Sequence, residues 1–128
     1  MTVRIVRLGS PRRRGEGLRI GTVRHPPRGV PKSAHAAQDW YDVWFPELAP
    51  SARLVRLGRG AVTERQWAAF ARRYRAEMAA PAKARILTLL AALSRHSQFS
   101  VGCYCPDEAR CHRSVLRALL EERGARIG

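Results

Sequence analysis

Residues 103–113 read CYCPDEARCHR and hold all three cysteines of the chain, with a histidine and two arginines. Thiolate and imidazole are the usual donors for zinc and other soft metals, and Cys103, Cys105, Cys111 and His112 supply four. The C-x-C-x5-C-H spacing is not a standard finger pattern. On a helix, adjacent Cys111 and His112 would diverge by about 100°. The same residues also permit nucleophilic chemistry, with Cys111 or Cys105 as thiolate and His112 as neighbouring acid/base. A third chemistry is anion binding. Arg110, His112 and Arg113 would hold a phosphate or carboxylate at a helix start, where free N–H groups and the macrodipole favour negative charge. That field is expected to lower the Cys111 thiol pKa. Asp107 and Glu108, inside the intervening loop, would oppose an oxyanion. The alternative to all three is packing, because small cysteines at a strand end are commonly buried.

The elements that must position these groups follow from hydrophobic periodicity. Alternation over 3–8 and 18–23 predicts two strands. The apolar stretch 99–105 predicts a central one, in which Cys103 and Cys105 would share a face. A short strand is expected near Tyr41–Phe45, and 51–58 reads either as a helix capped by Ser51 or as a strand. Thr63 with Gln66 forms a capping box opening a helix over 63–78, with Trp67, Phe70, Tyr74 and Met78 on its buried face. Pro81 opens a second helix over 81–96, with Ile86, Leu89, Leu90 and Leu93 as its expected stripe. A last helix follows Cys111, with Val115, Leu116, Leu119 and Leu120 inward, and Gly124 sits where a left-handed cap belongs. The expected architecture is a single small α/β domain over residues 1–128, its sheet mixed or mostly parallel and flanked by helices. A strand, a short loop and a helix N-terminus form the place where open α/β sheets bind ligands.

Softer candidates surround that junction. Arg24 and Arg28 bracket a proline-rigid loop, and Asp42 is placed to orient one of these arginines through a bidentate pair. Twenty-four Lys+Arg against ten Asp+Glu give a net charge of +14, a field that attracts polyanions. With the PRRRG run at 11–15, it makes nucleic acid an alternative partner to a small anionic ligand. No apolar run is long enough for a membrane span, and no targeting segment is evident, so the expected location is the cytoplasm. Three cysteines argue against a disulfide framework.

Four segments, RHPPRG (24–29), YDVWFPELAPS (41–51), WAAFARRYRAEM (67–78) and CYCPDEARCHRSVL (103–116), together resemble the YeaO-like uncharacterised domains (domain of unknown function 488), a small bacterial family. The resemblance runs from about Val3 to Ala125. The family's Trp-Pro-Arg-Gly loop reads Pro27-Arg28-Gly29 here, after Pro26 instead of tryptophan. Its Asn-His pair is Cys111-His112, as in a branch with Cys-His-Arg. The resemblance implies a compact α/β domain with a pocket around His112 and Arg28, near Arg24 and Asp42. It implies no established activity. The expectation is a basic Cys/His/Arg pocket taking a phosphate- or nucleotide-like ligand, with no enzyme class assigned. The alternatives are a nucleic-acid-binding module, or a protein binding zinc or another soft metal through Cys103, Cys105, Cys111 and His112.

Overall fold

The computed structural model describes residues 1–128. Four strands, β1 (Val3–Arg7), β2 (Leu18–Gly21), β3 (Val43–Trp44) and β4 (Phe99–Cys103), form one sheet in the order β1-β4-β2-β3. Every pairing is parallel, so the sheet belongs to the uniform end of the expected range. The four helices are α1 (Ala52–Arg59), α2 (Glu64–Met78), α3 (Pro81–Leu93) and α4 (His112–Glu122). The domain is α/β. No helix is long and apolar enough to cross a membrane.

Strand β4 is central and buried throughout, as its apolar run requires. Val3, Phe99 and Val101 join Leu54 of α1, Tyr74 and Met78 of α2, Leu87 of α3 and Leu116 of α4 in one core. The other sheet face carries Arg19 and Ser100, one alternation away and fully buried. Glu16 lies against them, accepting from Arg19 at 2.8 and 3.0 Å and from Ser100 Oγ at 3.2 Å. An ion pair closed by hydrogen bonds thus covers the face opposite the helices. Gly102 sits between Val6 and Gly21, and a Cβ there would stand 2.7 Å from the Val6 carbonyl. The tight central crossing needs glycine at that point.

Ser51 accepts from Leu54 N–H and starts a helix, which settles the 51–58 segment. Thr63 and Gln66 form the expected capping box. Gly124 ends α4 at φ 82°. In α3 the buried residues are Leu87, Leu90 and Ala91, whereas Leu89 is 58% exposed. The α3 stripe is therefore rotated from the expected Ile86–Leu89–Leu90–Leu93 set. An almost wholly apolar helix carries little directional signal, and contact with α4 selects the face.

Candidate functional site

Because all strands run parallel, their carboxyl ends share one edge, and three of them open into one cavity of about 1040 Å³. Arg7 ends β1 and Leu8 follows it, Val23 and Arg24 follow β2, and Cys103 to Cys105 leave β4. Arg28, Arg59 and Arg110 complete the basic lining, Trp40, Trp67 and Tyr104 add flat aromatic surface, and no carboxylate contributes. Asp107 and Glu108, expected to oppose an anion, are turned to other work. Asp107 caps the following turn through Ala109 N–H at 3.0 Å. Glu108 accepts from Arg117 at 2.7 and 2.9 Å, which holds its carboxyl below the usual range.

The floor is sulfur and imidazole. Cys103 and Cys111 are buried beside Leu8, Val23 and Tyr41, while Cys105 is half-exposed on the cavity side. Cys103 and Cys105 sulfurs are 3.9 Å apart, since the strand ends at Cys103 and the chain curls back. Cys111 does not lie on the helix. It is the N-cap of α4, with extended φ −133° and ψ 151°. The expected divergence of Cys111 and His112 therefore does not occur, and Cys111 Sγ stands 3.7 Å from His112 Nδ1. The donor atoms of Cys103, Cys111 and His112 all lie within 4.8 Å of one another.

His112 is buried, and its Nε2–H donates to the Thr22 carbonyl at 2.8 Å. A carbonyl supplies no proton, so Nδ1 carries the lone pair toward the sulfurs. Burial pushes the imidazole pKa down to about 4, with the Thr22 bond opposing, and His112 is neutral at pH 7.

The expectation of a lowered Cys111 pKa is corrected. Contact with Cys103 pulls it down, but contact with Cys105 and burial outweigh this and leave it raised. Cys103 is raised by its contacts with Cys105 and Cys111 and by burial. Contacts with those two thiols instead pull Cys105 well below the ordinary thiol range against the effect of burial, with the Arg113 charge assisting. Of the three thiols lining the cavity, Cys105 is thus the one whose pKa its neighbours lower.

The other predicted residues divide. Arg28 stands on the cavity lip, exposed and without a hydrogen-bond or ion-pair partner. Arg24 lines the wall, but its guanidinium is spent on the carbonyls of Pro46, Ala49 and Pro50 at 3.1–3.2 Å. Arg110 lines the rim and pairs with Glu64. Arg113 is only 3% exposed, lies outside the lining, and donates to the Cys105 carbonyl. Its Nε has no partner, and it makes no direct ion pair, although its charge is felt by Glu108. Asp42 is not brought into the cavity. It takes a bidentate pair from Arg12 at 2.8 and 3.0 Å, in place of Arg24 or Arg28. The PRRRG run thus turns one arginine inward. Arg7, Arg59, Trp40 and Thr22 escaped sequence reasoning. Thr22 follows a strand, where no pattern marks a carbonyl that will meet a histidine 90 residues away.

No curated protein and no solved structure matches the chain. A family model described as the active DUF488-N3 subclade matches residues 3–124. A match over nearly the whole domain, site included, assigns it: the chain belongs to the DUF488-N3a family.

Proposed function

We propose that the domain binds a small phosphate-bearing ligand, nucleotide-like in having a flat apolar part, over its sulfur–imidazole floor. The observation that carries this reading is the lining of the cavity: Arg7, Arg24, Arg28, Arg59 and Arg110 with aromatic rings between them and no acidic side chain. Guanidinium groups bind phosphate through charge-assisted, often bidentate hydrogen bonds. Trp40 and Tyr104, edge-to-face at 5.8 Å, offer an apolar wall for a planar group. The volume of about 1040 Å³ lies just above the roughly 300–1,000 Å³ of small-molecule sites. Any chemistry on a bound electrophile would fall to the half-exposed Cys105 thiol, with the Cys111–His112 pair, 3.7 Å apart, beneath.

Calorimetry at low salt with pyrophosphate, a nucleoside monophosphate and the matching uncharged nucleoside tests the proposal. Binding is expected for the two phosphates, tighter for the nucleotide, and absent for the nucleoside. Absence of binding by either phosphate removes the reading. Binding confined to long oligonucleotides, with affinity falling steeply in salt, overturns it in favour of a nucleic-acid surface.

A further inference from the structure

Cys103, Cys111 and His112 come from two elements, the end of β4 and the start of α4, yet their donor atoms converge within 4.8 Å. Bonds near 2.0 Å to nitrogen and 2.3 Å to sulfur at tetrahedral angles place donors about 3.5 to 3.8 Å apart. The Cys111 Sγ–His112 Nδ1 separation of 3.7 Å already meets that spacing. The widest separation has to close by about 1 Å, which a cysteine χ1 adjustment supplies.

Two further observations point the same way. First, His112 is arranged as ligating imidazoles are. Nε2–H is tied to the Thr22 carbonyl at 2.8 Å, leaving the Nδ1 lone pair on the sulfur side. Second, the buried guanidinium of Arg113 makes no direct ion pair and carries an Nε with no partner. A buried cation short of partners is costly, so its surroundings favour negative charge. Two thiolates and a divalent cation sum to zero. One more anion at a fourth position leaves one negative charge, which Arg113 offsets.

We propose that Cys103 Sγ, Cys111 Sγ and His112 Nδ1 form a three-point site for a thiophilic divalent cation of the zinc type, with its fourth position facing the arginine-lined cavity. Cys105 is not a fixed member of the set. Its sulfur is 3.9 Å from Cys103 but lies outside the three-residue group. On binding, Cys103 and Cys111 each release the S–H proton to solvent, and His112 contributes a lone pair without losing a proton. Three protein ligands and an open position are the arrangement of a catalytic metal centre, not of a closed structural one. The proposal rests on the floor of the cavity and not on its arginines, so it stands or falls apart from phosphate binding.

The test uses the full chain without a histidine tag, stripped with a chelator and titrated with Co²⁺ in phosphate-free buffer. One equivalent is expected to bind with tetrahedral d–d bands and thiolate-to-cobalt charge transfer. Bound metal should shield Cys103 and Cys111 from alkylation, read by peptide mass. Cys105→Ser should retain the bands. His112→Ala and Cys111→Ser should lose more affinity than the roughly 10- to 100-fold of an outer-shell change. Because those variants could misfold, the wild-type titration decides by itself: absent charge transfer overturns the site. Loss in Cys105→Ser as complete as in Cys111→Ser overturns the three-residue set.

Discussion

The Nε2 of His112 and the carbonyl of Thr22 stand 2.8 Å apart, joining the first residue of α4 to the residue just past β2. This bond spans 90 positions of sequence and fixes which imidazole nitrogen keeps its proton. The Thr22 hydroxyl, 3.4 Å from the same nitrogen, donates to the Gly102 carbonyl at 3.0 Å. The ring edge facing the sulfurs is therefore a pure acceptor. Long-range ¹H–¹⁵N NMR at pH 7 should find His112 neutral with the hydrogen on Nε2. A ring protonated on Nδ1, or an imidazolium, contradicts the arrangement.

The buried Glu16–Arg19 pair makes a separate prediction. Burial raises the Glu16 pKa, but the Arg19 hydrogen bond, the Arg13 backbone N–H and the Arg19 charge outweigh it, and the net value is lowered. A carboxyl with a depressed folded-state pKa stabilises the fold above its unfolded value, 4.5 here, and loses that contribution as pH falls through the folded value. Urea midpoints should thus drop on acidification below about pH 4.5. Glu16→Ala should flatten the drop while costing about 3–5 kcal/mol at neutral pH, because Arg19 is left buried and unpaired. An unchanged acid limb in the variant argues against the pair as its source.

The α3 helix separates what sequence pattern carries from what packing decides. Leu87 is fully buried and Leu89 is 58% exposed, two positions apart in an apolar run. Leu87→Ala should cost about 2–5 kcal/mol, as large-to-small core changes do. Leu89→Ala should stay within about 0.5 kcal/mol. Chemical denaturation reads both, and equal losses would contradict the rotated face.

That contrast extends over the molecule. Strands, caps and the inward faces of α2 and α4 were legible because each is a local period or a local hydrogen bond. The fused Cys–His–Arg junction was legible for the same reason, since its residues are neighbours in sequence. The partition of its charges was not. Cys111 reads as a helix-start thiolate, yet it is an N-cap packed against Leu8 and Val23 with a raised pKa, and it is the half-exposed Cys105 whose pKa its neighbours lower. Asp42 reads as a site residue, yet the distant Arg12 claims it. Both outcomes depend on contacts between segments far apart in sequence.

Arg24 and Arg28, four positions apart, both line the cavity and differ in what they hold. Arg24 ties the carbonyls of Pro46, Ala49 and Pro50 and so fixes one wall. Arg24→Ala should lower stability by about 1–3 kcal/mol, the scale of a lost hydrogen-bonded charge. Arg28 makes no such contact and lies exposed on the lip. Arg28→Ala should leave stability within about 0.5 kcal/mol. It should weaken pyrophosphate binding about tenfold, equivalent to roughly 1.4 kcal/mol, and more at low than at high salt because an exposed charge is screened. Melting curves with calorimetry at two ionic strengths separate the roles. If Arg28→Ala left affinity untouched while Arg24→Ala lowered it without loss of stability, the wall and the contact would have to be exchanged.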